Sequence, residues 1–184
     1  MAAPQQRWAA GLLHFWFHKL GPEARFTPDS RVDAILRRRF EWELTRLAAR
    51  PAQEFLTDPQ IALAAVLLFD QLPRNLYRRS PRAFAFDRLA CAIAKGALDR
   101  GWDNRLRLEQ RQFLAMPLMH SERIADQRRS LAIFARLGQR YGWSFAVSHY
   151  RMIARFGRFP HRNEVLGRKS TEAEKRAVAA GFAW

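Results

Sequence analysis

The sequence predicts an all-α protein of about eight helices, and three observations support this fold class. Apolar residues recur at helical spacing over most of the chain. Glycine and proline fall between these periodic segments, and no stretch alternates convincingly between apolar and polar side chains as a strand would. The connections are short, which favours antiparallel helical hairpins in a single domain spanning residues 1–184.

The predicted helices begin at capping residues and end at proline or glycine. They run approximately over residues 4–19, 29–49, 59–73, 81–101, 106–115, 121–140, 144–156 and onward from 171. Asp58 and Ser80 each precede a proline, which suits an N-cap followed by the first helical position. Thr171 and Glu174 have the spacing of a capping box. Pro117 is expected to lie beyond the fifth helix, because proline cannot donate a backbone hydrogen bond inside one.

The third predicted helix is the one we expect at the centre of the fold. Residues 61–69 contain no charged side chain, so this helix is apolar on every side, as buried helices are. We expect it to end or kink at Pro73. The second helix instead has a single apolar stripe from Val32 to Leu47, which indicates one buried face.

Composition excludes several classes of protein. A hydrophobic fraction of 48% over 184 residues indicates a packed domain and not a disordered chain. One cysteine excludes a disulfide framework and any multi-cysteine zinc site. No apolar run approaches the roughly 18 residues of a membrane-spanning helix. The apolar stretch Trp8–Phe17 lacks the features of a signal peptide, so we expect a cytoplasmic protein with no membrane association.

The net charge of +15 suggests an anionic partner but does not identify one. Arginine supplies 28 of the 32 basic residues, a bias that is typical of GC-rich genomes. No run of like charges is longer than Arg37-Arg38-Arg39, and no known nucleic-acid-binding module is recognisable. Nucleic acid is therefore the least favoured of the partners that we consider.

A first group of polar residues, Asp70–Asn75, directly follows the apolar run of the third helix. A carboxylate in this position must be paired or hydrated. In one interpretation Asp70 and Arg74 form a structural ion pair. In the other they form the wall of a polar pocket, where Arg74 offers a bidentate fork to an anionic ligand.

A second group lies at the start of the sixth predicted helix, where Glu122 and Asp126 are four residues apart. The helix dipole and arginine partners explain this carboxylate pair without a ligand. A metal site would use His120, Glu122 and Asp126, with His149 as a further ligand. No HExxH or paired Glu-x-x-His motif supports such a site, so we expect neither a metal nor a cofactor.

A third group occupies residues 154–163, around Gly157 and Pro160, and it combines arginines with two aromatics, a histidine and Asn163. Its arginines have the chemistry to hold a phosphate or carboxylate, and they are Arg155, Arg158 and Arg162. The alternative is a structured connection that buries its phenylalanines and leaves its arginines to solvent or helix ends.

An enzymatic interpretation would make a histidine the general base beside Asp70 or Glu122, and the candidates are His120, His149 and His161. No Ser/His/Asp or Cys/His spacing is recognisable in the sequence. Cys91 lies among apolar neighbours, which indicates a small buried residue and not a nucleophile.

These polar groups carry a resemblance to a known family. The chain resembles the bacterial domain-of-unknown-function family 924 in blocks at residues 15–17, 68–75, 82–85, 116–127, 155–163 and 166–168. Leu72 departs from the family pattern, in which an aromatic residue is more frequent. The resemblance implies a tetratricopeptide-like α-α superhelix, and it implies no known activity.

The family blocks coincide with the three polar groups, so we expect the polar side chains to converge on one cleft. The candidate ligand-binding residues are Asp70, Arg74, His120, Glu122, Arg155, Arg158, His161 and Asn163. The first functional hypothesis is a helical scaffold that binds an acidic or phosphorylated peptide, or a small anionic ligand, in an arginine-lined groove. The second is a hydrolase-like enzyme with a histidine/carboxylate site, and the third is nucleic-acid binding. The sequence does not determine the oligomeric state.

Overall fold

The structure, a computed structural model, describes residues 3–181 and the side chains of residues 7–181. In this range it is all-α and contains no strand, which confirms the predicted fold class. Its eight main helices are α1 (Ala3–His14), α2 (Ser30–Leu47), α3 (Pro59–Val66), α4 (Asp87–Asp99), α5 (Leu108–Met119), α6 (Ile124–Leu137), α7 (Trp143–Phe156) and α8 (Glu172–Ala179).

Two of these helices continue as π-helical turns. α1 extends through Phe15–Lys19, and α3 extends through Leu67–Gln71 into a short α-helical segment, Leu72–Leu76. The chain therefore passes Pro73 without ending the helix. Pro73 lies in the first turn of the segment after the change in hydrogen-bond register, a position where its missing N–H is tolerated. π turns of this kind often occur at functional sites.

α3 lies at the centre of the fold, as its uncharged sequence predicted. Every side chain from Ala62 to Phe69 is at most 1% exposed. The helix packs against α1, α4 and α5. Its start is fixed by Asp58, whose carboxylate accepts hydrogen bonds from the backbone N–H groups of Gln60 (2.8 Å) and Ile61 (3.1 Å).

The prediction that Pro117 lies beyond α5 was wrong. α5 runs through Pro117 and ends at Met119. A proline inside a helix costs about 3 kcal/mol, but all residues from Phe113 to Met119 are buried here. The packing of these residues outweighs the lost hydrogen bond. Local sequence patterns do not predict this packing. The consequence for the site is that His120 immediately follows a rigid, buried helix.

The second half of the chain forms consecutive packed helices. α6 packs against α5 and α7, and only residues 120–123 separate α5 from α6, so the chain reverses direction there. A small separate core, made of Met152, Ile153, Phe159 and Ala177, holds α8 to the end of α7. None of the helices between residues 3 and 181 combines the length and apolarity needed to cross a membrane.

Candidate functional site

Asp70 lies in the π turn that follows α3, and its side chain is 0% exposed. One carboxylate oxygen accepts a hydrogen bond from His120 Nδ1 at 2.8 Å and lies 3.3 Å from Arg74 Nη1. Burial alone would raise the pKa of Asp70, but Arg74 and His120 lower it more, so the net pKa lies well below the usual value. Asp70 is therefore an ionised carboxylate at neutral pH.

This ionised carboxylate fixes the tautomer of His120. A carboxylate can only accept hydrogen bonds, so Nδ1 of His120 carries the proton that it donates to Asp70. Burial lowers the pKa of His120 more strongly than the charge of Asp70 raises it. The ring is therefore neutral at pH 7, with a lone pair on Nε2.

The guanidinium fork of Arg74 is directed at Asp87, the first residue of α4. Nη1 and Nη2 of Arg74 donate to Oδ1 and Oδ2 of Asp87 at 2.9 and 3.0 Å, and Nη1 also donates to the Asp70 carbonyl at 2.7 Å. In one of the two interpretations of the sequence this fork faced an anionic ligand, whereas in the structure an internal carboxylate occupies it. An acidic residue in the first turn of a helix is common, so nothing in the sequence singled out Asp87.

Three histidines lie beside this ion-pair network. The ring of His149 is centred 6.1 Å from that of His120 and 5.3 Å from that of Phe159, and Phe159 lies 5.6 Å from His161. Burial lowers the pKa of His149 to about 3. Burial and the charge of Arg162 lower the pKa of His161 to about 4. At neutral pH these rings contribute no positive charge.

A cavity of about 370 Å³, which we call the His–Arg cavity, lies next to these groups. Among the described residues no carboxylate lines its wall. Its lining residues are Pro28, Arg74, Arg78, Arg79, Ala83, Phe84, His120, His149, His161 and Arg162. All of its formally charged lining groups are arginines.

Arg162 is the most buried of these arginines, with a residue exposure of 6%. Its guanidinium carbon lies 4.5 Å from the ring centre of Phe84 and 4.6 Å from that of Phe159. Nη1 donates to Asp87 Oδ2 at 3.1 Å, but the buried Nε–H has no hydrogen-bond partner within the described chain. Burial and the nearby Arg74 lower the pKa of Arg162 to about 10. The positive charge of Arg162 is thus incompletely compensated.

Arg79 contributes an unengaged charge to the same wall. Its φ angle of 61° lies in the left-handed region, which costs a non-glycine residue about 1–2 kcal/mol. Within residues 3–181 its exposed side chain makes no hydrogen bond or ion pair. No sequence pattern singled out Arg79, because an arginine in a sequence does not indicate a left-handed backbone conformation.

Glu122 lies outside the His–Arg cavity. Its carboxylate is held by Arg168 through two hydrogen bonds of 2.8 and 2.9 Å, and it also accepts one from the Phe159 N–H at 2.8 Å. It lines a second, larger cavity of about 610 Å³, which shares Phe84, His120 and Arg162 with the first. We call this the outer cavity.

Asp126 also faces the outer cavity and is separately paired. It lies 2.5 Å from Lys95 Nζ and accepts a hydrogen bond from Ser121 Oγ at 2.7 Å. Among residues 3–181, no group of three or more His, Cys, Asp or Glu side chains is placed to hold a metal ion. Cys91 lies 3.6 Å from the same carboxylate, and burial raises the pKa of this thiol to about 12. Its thiol is therefore protonated and a poor nucleophile.

The remaining sequence-selected residues do not line the His–Arg cavity. Arg158 forms two hydrogen bonds of 2.6 and 2.9 Å to Glu174, which closes the capping box of α8 with Thr171. Arg155 is exposed and lies over its neighbour Phe156. Asn163 is fully buried and donates to Ser170 Oγ at 3.0 Å.

The structure thus brings Asp70, Arg74, His120 and His161 together, and it places the other four candidates elsewhere. It adds Asp87, Arg79 and the hydrogen-bonding role of His149 to the site. Arg162, which the sequence named as a possible anion-holding arginine but did not select, is central.

Fold and site together define an all-α protein that encloses a buried Asp–His–Arg network beside an arginine-lined cavity. A family model described as "Bacterial protein of unknown function (DUF924)" matches residues 12–181, so the chain belongs to this family. This confirms the resemblance seen in the sequence.

A solved structure of similar fold is the protein of unknown function ATU0120 from Agrobacterium tumefaciens. It is 36% identical, the match covers 94% of this chain and 97% of that one, and the TM-score is 0.88. No curated protein matches the chain.

Proposed function

We propose that the protein binds a small anionic molecule, carrying a phosphate or carboxylate group, in the His–Arg cavity. The observation that supports this proposal is the state of Arg162. A buried guanidinium with an unpartnered Nε–H and a lowered pKa is stabilised by any anion that reaches it.

The rest of the cavity wall favours the same kind of ligand. The carboxylates that pair with Arg74 and Arg78 (Asp70, Asp87 and Asp33) are not among the cavity-lining residues. Among the polar groups of the wall, hydrogen-bond donors and positive charge therefore predominate. The phenyl ring of Phe84 adds an apolar surface for the body of a ligand.

The size of the cavity favours a small molecule over a peptide. Small-molecule sites occupy about 300–1,000 Å³, and 370 Å³ lies at the lower end of that range. A tetratricopeptide-like superhelix would offer a peptide its concave face. That repeat geometry, and the peptide partner with it, remain predictions.

The proposal is tested by calorimetric titration with inorganic phosphate, sulfate and acetate at pH 7.5. We expect phosphate binding to weaken at least about tenfold in Arg162→Met, because charge-assisted hydrogen bonds are lost. It should weaken about threefold or more in Arg79→Ala, which removes an exposed charge and leaves the buried network intact.

Arg105→Ala is the matched control, because Arg105 is exposed and is not a cavity-lining residue. Its affinity for phosphate should equal that of the wild type. Equal phosphate affinity in the wild type, Arg79→Ala and Arg162→Met would contradict the proposal, as would an absence of binding for all three anions.

A second candidate function is an enzyme that uses the same cavity for acid–base chemistry. It is favoured by the 2.8 Å hydrogen bond from His120 Nδ1 to Asp70, which orients a ring that burial keeps neutral beside the cavity. The test is hydrolysis of a panel of chromogenic carboxylic esters, with activity expected in the wild type and lost in His120→Gln. No comparable observation at the site favours nucleic acid.

A further inference from the structure

We propose that Nε2 of His120 accepts a phosphoryl group from a phosphate monoester bound in the His–Arg cavity, so that the protein passes through a covalent phosphohistidine. This inference rests on the proposed function, because it needs the anion to occupy the cavity. It adds the class of substrate and the reacting atom.

The side chains of the cavity wall leave only histidine as a nucleophile. Among the residues that the structure describes, no serine, threonine, cysteine or lysine lines this cavity. Cys91 and Lys95 line the outer cavity instead, and Lys95 is paired with Asp126. Histidine is an established covalent nucleophile when its ring is neutral.

His120 is distinguished from His149 by the partner of its Nδ1. His120 donates to the Asp70 carboxylate, whereas His149 donates to the Phe145 carbonyl at 2.8 Å. A ring that attacks phosphorus becomes positively charged, and a carboxylate stabilises that charge far better than a neutral carbonyl. Arg74 in turn holds Asp70 in its ionised form.

The chemical step balances without a metal. The Nε2 lone pair forms a bond to phosphorus while the P–O ester bond breaks. The electron pair of the broken P–O bond leaves with the alkoxide or phenoxide oxygen. The ring keeps its Nδ1 proton and is stabilised by Asp70. Water then attacks phosphorus, Nε2 recovers its lone pair, and inorganic phosphate is released.

The arginines match the charge of the transferred group. A phosphoryl group in transfer spreads negative charge over its three oxygens, and guanidinium groups stabilise it electrostatically. Arg162 and Arg79 have donors that no described residue occupies. The outer cavity shares Phe84, His120 and Arg162 with the first, so it is placed to receive the organic part of the ester.

The experiment uses the full-length protein and p-nitrophenyl phosphate, whose leaving group needs no general acid. Rapid mixing should release a burst of p-nitrophenolate approaching one per protein. Mass spectrometry of the alkali-stable, acid-labile adduct should place one phosphoryl group on the peptide that contains His120. His120→Gln should abolish both signals.

Asp70 is a positioning residue in this scheme. Asp70→Asn should slow the burst at least about tenfold and shift its pH dependence while phosphate still binds. His18→Asn is the control, because His18 is exposed and lines neither cavity. Its burst should match that of the wild type. If Asp70→Asn does not fold, the proposal is tested by comparing the burst and the adduct of His120→Gln with those of the wild type.

The experiment distinguishes failure of the phosphohistidine proposal from failure of the proposed anion binding. Phosphate binding without a burst or a labelled His120 overturns the phosphohistidine and leaves the proposed anion binding in place. Steady turnover with no adduct on rapid acid-free quenching overturns it in favour of general-base catalysis. An adduct on another histidine overturns the assignment to His120. Absence of phosphate binding overturns both proposals.

Discussion

Asp87 and Arg162 lie 75 positions apart in the sequence and form an ion pair of 3.1 Å beside the His–Arg cavity. Asp87 also accepts two hydrogen bonds from Arg74. Asp87 thus pairs with both guanidinium groups, but Arg74 also has Asp70 as a partner, whereas Arg162 keeps an unpartnered buried Nε–H. Burial and the nearby Arg74 lower the pKa of Arg162, and its unpartnered donor supports the affinity for anions that we propose.

Asp87→Asn should destabilise the protein by about 2–4 kcal/mol, because removing one partner of a largely buried ion pair leaves uncompensated charge. Urea unfolding measures this change. The phosphate-dependent gain in unfolding free energy should be larger in Asp87→Asn than in the wild type, since an anion then replaces the missing charge.

Asp99→Asn is the control for this experiment, because Asp99 forms an exposed ion pair with Arg129 and should change stability by less than about 1 kcal/mol. If phosphate stabilises Asp87→Asn no more than Asp99→Asn, the cavity does not hold the excess charge.

Arg79→Gly and Arg79→Ala should separate backbone strain from anion binding. Glycine adopts a φ of 61° without the steric cost that a Cβ imposes, whereas alanine retains it. We expect Arg79→Gly to be about 0.5–1 kcal/mol more stable than Arg79→Ala in urea unfolding. Both should lose the same phosphate affinity. Equal stability of the two variants would show that the left-handed turn stores no strain.

Stability should fall on acidification below about pH 6.5, before most carboxylates titrate. The pKa of His149 is about 3 and that of His161 about 4 in the folded protein, against 6.5 for an ordinary histidine. Between these values the unfolded chain binds protons that the folded chain does not, so stability rises with pH. Each histidine contributes a slope of about 1.4 kcal/mol per pH unit in that window.

His149→Phe removes one histidine whose proton uptake differs between the folded and unfolded chains. The slope of the unfolding free energy against pH should therefore decrease by the contribution of about one proton between pH 4 and 6.5, as measured by urea unfolding at several pH values. His18→Asn, which removes an exposed histidine, is the matched control. A wild-type stability that is flat from pH 7 to pH 5 would contradict the burial of neutral histidines.

Arg158→Ala should lower the melting temperature and leave phosphate affinity unchanged. Arg158 binds Glu174 within the capping box of α8, and hydrogen bonds from Arg158 lower the pKa of Glu174 to about 2. Its loss weakens the attachment of α8 to the end of α7. Arg155→Ala should change neither property. A large loss of phosphate affinity in Arg158→Ala would show that Arg158 contributes to the binding site, as the sequence predicted.

The residues of the Asp70 block show how far sequence reasoning reached. A carboxylate directly after nine uncharged residues had to be paired or hydrated, and the structure pairs it with Arg74 and His120. The orientation of the Arg74 fork was not predictable, because Asp87 lies on another helix and its position depends on how α3 and α4 pack. The passage of the helices through Pro73 and Pro117 depends in the same way on burial that distant residues supply.

The sequence by itself determined that the chain is helical, that α3 is central, and which family the chain resembles, because helical periodicity, caps and uncharged runs are local properties. It also located polar groups that could not be buried without partners. Only the tertiary structure decided which of these groups meet. Ion pairing and cavity formation depend on distances between helices, and these follow from the packing of the whole core. That packing leaves Arg162 with a carboxylate shared with Arg74 and a vacant donor beside the cavity.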